Sequence, residues 1–288
     1  MDTSVHMNEM THEPYSVLMS VYYKEKPQFL RQSVLSIAHQ SVPTDDFVLV
    51  CDGPLTPELD QVLAEMQALL GDILHIVRLP VNGGLGRALN EGLQHCRHGL
   101  IARMDSDDIS RPDRCERELA VFARMDVDIV SGAVEEFTTD PRQVDVLRVP
   151  PEHHSDILEF AKRRNPFYHP CVMYRKASVL AVGGYQEFYL LEDYHLWLRM
   201  LLQGARGYNL PQPLLWMRAG SDMYRRRAGW KYAASQRRLF RFMHAAGMIS
   251  AGECFCSGAL RTLSSLAPNW LRERMFKLFL RKTRTCSK

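Results

Sequence analysis

The sequence has little that reads as a signal for passage into or across a membrane. Met1–Ser20 holds no basic segment followed by an apolar stretch, which excludes the pattern of a cleaved secretory signal. No uncharged apolar run approaches the ~20 residues needed to cross a bilayer. Arg, Lys and Glu interrupt the C-terminal third every few positions. The expectation is a cytoplasmic protein whose contact with a membrane, if any, is peripheral. The seven cysteines (Cys51, Cys96, Cys115, Cys171, Cys254, Cys256 and Cys286) are odd in number and contain no C-x-x-C pair. Neither a zinc site nor a disulfide framework is indicated. Cys254 and Cys256, two apart without His partners, read as packing residues. There is no internal repeat and no low-complexity stretch.

What is present fits one catalytic domain with an appendage: 288 residues, 46% hydrophobic, suffice for one substantial α/β core. Charge is unevenly spread. Residues 222–288 carry 15 Lys/Arg against 3 Asp/Glu, a net of +12, whereas residues 1–221 carry a net of −9. An acidic body is thus joined to a basic tail that should seek anionic surfaces. The expected division is an N-terminal tail over 1–14, a catalytic domain over 15–220 and a basic helical extension over 221–288.

The hydrophobic pattern alternates strand and helix. Tyr15–Tyr22 is a short apolar, β-branched run of the kind that opens a buried parallel sheet. Leu30, Val34, Ile37 and Ala38 form a helical stripe, and Phe47–Cys51 supplies the next strand. The alternation predicts a helix over Pro57–Leu70, a strand over Ile73–Leu79, a helix over Leu85–His95 and a strand over Leu100–Met104 that runs into Asp105. Beyond lie a helix over Pro112–Met125, a strand over Asp128–Gly132, a helix over Glu152–Arg164, a helix from Leu191 and a basic helix over Asp222–Ala246. The predicted fold class is α/β, a doubly wound, mostly parallel sheet. Ligands in such sheets sit beyond the carboxyl ends of the strands, where Ser20, Asp52 and Asp105 fall.

Asp105-Ser106-Asp107-Asp108 places three carboxylates at a strand end. Their repulsion is relieved best by a hard divalent cation, Mg²⁺ or Mn²⁺, which takes one or two carboxylates and completes its shell with phosphate oxygens and water. Taken alone, the run also reads as a solvated acidic turn before the helix near Pro112. Asp52, with Gly53-Pro54 turning the chain away, suits the imide N–H of a uracil or thymine ring, or is simply a turn Asp. Asn82–Asn90 is a glycine-rich strand-to-helix turn in which Arg87 can reach anionic oxygens. It is not a dinucleotide fingerprint, since the third small residue would fall at Leu89 and the turn follows the third strand. Glu192-Asp193 opens the helix striped by Tyr194, Trp197, Leu198 and Leu201, where acids also serve the helix dipole. His169 is a candidate for an acceptor pocket and equally a structural histidine.

With Ser20-Val21-Tyr22, Cys51-Asp52-Gly53, Asn82–Leu85, Asp105–Asp108 and Glu192-Asp193-Tyr194 in this order, the chain resembles family 2 glycosyltransferases of the GT-A fold over roughly residues 15–220. Within that family it resembles bacterial exopolysaccharide, capsule and O-antigen transferases of the amylovoran type, which share the run Asp222–Arg227. The resemblance implies an inverting sugar transfer from a nucleotide-sugar donor, with Ser20, Tyr22, Asp52, Asn82, Gly84, Arg87, Asp105 and Ser106 around the donor nucleotide. It further implies Asp107 and Asp105 on a divalent metal, and Asp193 as the base that deprotonates an acceptor hydroxyl. Glu192, His169 and Arg218 are implied near the acceptor or diphosphate. The implied acceptor is a lipid-linked saccharide on the cytoplasmic face of a membrane. Trp270–Arg284 suits an interfacial helix on anionic lipid, while nothing points to nucleic acid. The chain departs from the pattern at Cys51, Pro54, His195 and Arg218, the last standing where relatives frequently carry a metal- or phosphate-binding His. Direct contact of Arg218 with the diphosphate would weaken metal dependence. A nucleotidyltransferase and a non-catalytic nucleotide-binding module remain alternatives, discriminated by dependence on Asp193.

Overall fold

The computed structural model describes residues 12–219 and 229–266. The alternating half forms as its hydrophobicity dictates. Strands β1 (Tyr15–Val21), β2 (Asp46–Cys51), β3 (Leu74–Arg78) and β4 (Leu100–Asp105) lie parallel in the order β3-β2-β1-β4. They are joined by α1 (Pro27–Ala38), α2 (Pro57–Leu70) and α3 (Leu85–His95). Pro27 and Pro57 occupy first helical turns, where the missing N–H costs nothing, and the Thr56 hydroxyl caps α2 by accepting from Leu59 N.

The sheet continues through elements of mixed direction. A short strand β5 (Ile109–Ser110) precedes α4 (Arg114–Arg124). Then come β6 (Ile129–Phe137), β7 (Val146–Arg148), α5 (His154–Ala161), β8 (Met173–Arg175), α6 (Lys176–Ala181), α7 (Glu192–Leu202) and β9 (Gly207–Arg218). The full order is β3-β2-β1-β4-β8-β6-β9-β5, with β7 on β6. β8 inserts antiparallel between β4 and β6, while β6 and β9 run parallel. Arg114 of α4 is fully buried and fixes this junction. Its guanidinium donates to the carbonyls of Arg103, Pro170 and Val172 and pairs with Glu118 at 3.1 Å.

Two apolar layers cover the sheet. α1, α2 and α4 pack Leu30, Val34, Leu63 and Leu119 on one face. On the other, α3 and α7 pack Leu89, Leu93, Trp197 and Leu198. Gly92 lets α3 approach closely, since a Cβ there would lie 2.7 Å from Val50 Cγ2 and would also meet Leu18. A hairpin of α8 (Trp230–Ala245) and α9 (Ala251–Leu266) joins the second layer through Leu239, Phe240 and Met243. His195, on α7, is buried between Phe188 and Phe242.

Three expectations change. The strand predicted over Asp128–Gly132 extends to Phe137, because β9 and β7 offer partners along its whole length. The helix predicted over Glu152–Arg164 is confined to His154–Ala161. The basic helix predicted from Asp222 is described only from Trp230, where Gly229 in a left-handed conformation starts it. The run Asp222–Arg227 and the segment Trp270–Arg284 lie outside the described residues. Among the described residues no helix is long and apolar enough to cross a membrane, and the cysteines are free.

Candidate active site

β4 delivers the carboxylate run to the end of the central strands. In register, Ser20 of β1 stands beside Asp105. The Asp105 carbonyl accepts from Ser33 Oγ at 2.5 Å, and its carboxylate pairs with Arg103 Nη2 at 2.5 Å. Ser106 donates its hydroxyl to Glu25 Oε2 at 2.7 Å, which ties the segment after Tyr22 to the run. Asp108 is buried, and its Oδ1 accepts from Arg218 N at 2.7 Å. Ligand oxygens of Asp105, Asp107 and Asp108 lie within 4.8 Å of one another. Burial, followed by the charges of Asp107 and Asp105, holds the Asp108 carboxyl well above the usual range. Three hard oxygen donors gathered at unfavourable mutual distance fit a divalent cation, which relieves that repulsion.

Arg218 closes β9 against this run. Its Nε donates to the Asp107 carbonyl at 3.0 Å and its Nη2 to Gln32 at 2.9 Å. The guanidinium stacks 3.7 Å from the Phe29 ring centroid and 4.7 Å from that of Phe137. The structure therefore places Arg218 as a brace of the Asp107–Asp108 backbone, with two of its donor atoms already engaged.

The glycine turn is held by Asp52. One carboxylate oxygen accepts from Gly83 N at 2.7 Å and the other from Gly84 N at 2.9 Å, while Asn82 Nδ2 donates to the Asp52 carbonyl at 3.0 Å. Gly53 has φ +84°, and a Cβ there would sit 2.6 Å from Asn82 N, so the turns after β2 and β3 meet at a point only glycine allows. The exposed Arg87 folds its stem over Gly83.

The acid pair reaches the same place from the far half of the chain. Asn90 of α3 brackets Tyr185, donating to its carbonyl and accepting from its N–H, both at 2.7 Å. The chain then enters α7 through Leu190, which has φ 58°. A Cβ at Gly86 would lie 3.3 Å from Tyr185 Cβ and 3.6 Å from Glu192 Cγ, so the start of α7 packs against the start of α3. Asp193 Oδ2 accepts from Asn165 Nδ2 at 2.6 Å and Oδ1 from Tyr194 N at 2.7 Å. Burial and the charge of Asp193 push the Glu192 carboxyl up to about 7.

His169 lies beneath this assembly. It is 8% exposed, its Nε2 is 2.9 Å from Tyr185 Oη, and its ring meets Trp197 edge to face. Burial, with the Arg103 charge behind it, holds the imidazole well below its usual range. Its contacts support Tyr185. Tyr22, half-buried after β1, meets Tyr23 edge to face. Four residues that sequence reasoning passed over complete the site: Glu25, Asn90 as a clamp, Arg103 and Asn165. For Arg103 a signal existed, since it stands two residues before Asp105 and so on the same face of β4.

Comparison with known proteins accords with this arrangement. The family description "Glycosyl transferase family 2" matches residues 16–183. The chain is 42% identical to the amylovoran biosynthesis glycosyltransferase AmsE of Erwinia amylovora, over 88% of this chain and 94% of that one. It is 40% identical to an uncharacterized glycosyltransferase of Haemophilus influenzae, over 93% and 99%. It is 37% identical to the UDP-Gal:alpha-D-GlcNAc-diphosphoundecaprenol beta-1,3-galactosyltransferase of Escherichia coli, over 93% and 97%. Among solved structures, S. aureus TarS in complex with UDP-GlcNAc superposes with a TM-score of 0.66 at 18% identity, covering 93% of this chain and 76% of that one. The mannosyltransferase PcManGT of Pyrobaculum calidifontis, in complex with GDP-Man and Mn²⁺, gives 0.64 at 15%, covering 95% and 82%. The fold is that of GT-A glycosyltransferases, an α/β sheet with C-terminal helices, and the chain is an enzyme belonging to glycosyl transferase family 2.

Proposed function

We propose that the protein transfers a sugar, with inversion, from a UDP-sugar to a hydroxyl of a polyprenyl-diphosphate-linked saccharide during the synthesis of a bacterial surface polysaccharide. The observation that carries this reading is the packing of Glu192 at the start of α7 against Gly86 of the Asp52-held glycine turn. It brings an acid pair to a donor-nucleotide cradle. Asp193, oriented by Asn165, takes the proton of the acceptor hydroxyl as its oxygen attacks the anomeric carbon. Ser20, Tyr22, Asp52, Asn82, Gly84, Arg87, Asp105 and Ser106 surround the nucleotide, with Arg87 toward the phosphates. Asp107 and Asp105 would hold a divalent ion, Mn²⁺ or Mg²⁺. Such an ion, when bound, neutralises charge on the departing diphosphate.

The name of the Escherichia coli relative, a UDP-Gal transferase onto a lipid diphosphate-linked sugar, supports the donor base and acceptor class, with galactose or N-acetylglucosamine as the transferred sugar. Peripheral attachment to the cytoplasmic face of the membrane fits the C-terminal hairpin. There Phe255, Leu260 and Leu263 are exposed on one side of α9, and Lys231, Arg237, Arg238 and Arg241 are exposed on α8. The division into a tail over 1–14, a catalytic body over 15–220 and an extension over 221–288 follows from the same reading.

The test is a panel of nucleotide sugars with a lipid-linked acceptor and Mn²⁺ or Mg²⁺, on wild type and Asp193→Asn. The expected result is UDP release and transfer with one UDP-sugar, lost in the variant while UDP binding persists. Full transfer by Asp193→Asn would sink the base assignment, and absence of turnover with every donor would sink the reading as a whole.

A further inference from the structure

Arg103 is the feature of this site that the transfer reading leaves unused. It is 0% exposed, lies in the middle of the sheet on the face shared with α3 and α7, and is a permanently charged group where apolar side chains belong. A buried guanidinium is tolerated only where its charge is answered. Asp105 answers it at 2.5 Å through Nη2. Nε and Nη1 have no hydrogen-bond partner among the described residues. The same charge bears electrostatically on Asp193 and on Tyr185, so it stands between the carboxylate run and the acid pair. Arg114 fixes its backbone by donating to the Arg103 carbonyl at 2.7 Å, which leaves little freedom for the strand to relax around a changed side chain.

We propose that Arg103 is a positioning residue of the transfer site, a fixed internal counter-charge that holds Asp105 and restrains the affinity of the Asp105–Asp108 run for its cation. The proposal rests on the reading of that run as a divalent-cation site. Its logic is competition. Asp105 shares its carboxylate between Arg103 and whatever binds in front of it, so a cation in the run is attracted by three acids and repelled by the Arg103 guanidinium in addition to that of Arg218. Restraint of this kind suits a site that must release nucleoside diphosphate and metal after each turn. Neutralising Arg103 frees the Asp105 carboxylate and removes the repulsion, and a unit charge acting through a partly buried site changes cation binding on the order of tenfold or more. A residue that merely supported the fold would have the opposite effect, since a loosened run binds every ligand less well.

The experiment is titration of Mn²⁺ alone, by calorimetry or by loss of the free-ion paramagnetic resonance signal, into wild type, R103M, R103Q, R103K and D107N, each checked for cooperative unfolding. The expected result is Mn²⁺ binding at least about tenfold tighter in R103M and R103Q, with slower turnover and little change in donor KM. R103K keeps the charge and should bind Mn²⁺ much as wild type does. Neutral variants that bind Mn²⁺ no tighter than wild type would overturn the proposal. Should both neutral variants fail to fold, R103K decides: wild-type Mn²⁺ affinity upholds the counter-charge, and tenfold tighter binding refutes it. Failure of wild type itself to bind Mn²⁺, with D107N indistinguishable from it, would instead overturn the cation reading of the run.

Discussion

Replacing Asp52 by Asn tests whether the proposed donor cradle is held by the carboxylate or only lined by it. Asp52 is buried and accepts two backbone N–H bonds, from Gly83 and Gly84. Asn keeps one acceptor and turns an NH₂ group toward the other amide, so one bond is lost, one is weakened and two donors face each other. Hydrogen bonds to a charged group are worth about 1.5–3 kcal/mol each, and a neutral one about 1 kcal/mol, so the turn should lose about 2–5 kcal/mol of local stability. If all of it falls on the ordered, ligand-ready turn, nucleotide affinity drops by roughly thirtyfold to a few thousandfold, at tenfold per 1.4 kcal/mol. Calorimetric titration with UDP and with ribose 5-diphosphate, beside urea unfolding, is the assay. Both ligands should weaken together, because the turn and not the base contact has been damaged. A loss confined to UDP would refute the argument in favour of pure base recognition, and wild-type affinity for both would refute any holding role.

Three further outcomes follow from the geometry. Burial pushes His195 down to about 4, so its neutral form is favoured in the fold; stability is complete above its unfolded value near 6.5 and falls as pH drops from there toward 4, by about 1–3 kcal/mol. His195→Phe should flatten that slope in urea titrations at pH 7 and 4.5, and an unchanged slope would show that the acid sensitivity lies elsewhere. Gly92→Ala should destabilise by up to about 2 kcal/mol in urea, since a methyl against Val50 and Leu18 costs about 1–3 kcal/mol while helix propensity returns about 1; a stabilised variant would mean α3 can lift without cost. Glu192→Gln fixes the neutral form of a group held near pH 7 and should remove one ionisation near that pH from the pH profile of transfer. Persistence of that ionisation would assign it to another group.

The first half of the fold was legible because β1 and β2 are buried on both faces and carry apolar runs, as in Val17–Met19 and Phe47–Cys51. β8 was not, since three residues carry little periodicity and their place is set by nonlocal bonds from Arg114 to the carbonyls of Pro170 and Val172. The carboxylates could be found from their position at strand ends. Their supports could not: Glu25 meets Ser106 across 81 positions, and Asn165 meets Asp193 across 28. Arg218 was visible as a departure, but its brace of the Asp107 carbonyl and its seat on Phe29 emerge only when β9 runs alongside β6.

The bracket that Asn90 places on Tyr185 has a consequence for anyone recombining such enzymes. A chimera cut between the two halves would leave the recipient's α3 facing a foreign segment, and a carboxamide satisfied on both its atoms would have to be met anew. Gly184 belongs to the same unit, because a Cβ there would strike Asn90 Oδ1 at 2.5 Å. Whoever exchanges residues 183–193 must therefore move position 90 with them, so the inheritable module is discontinuous in sequence and joins the glycine turn to the acid pair.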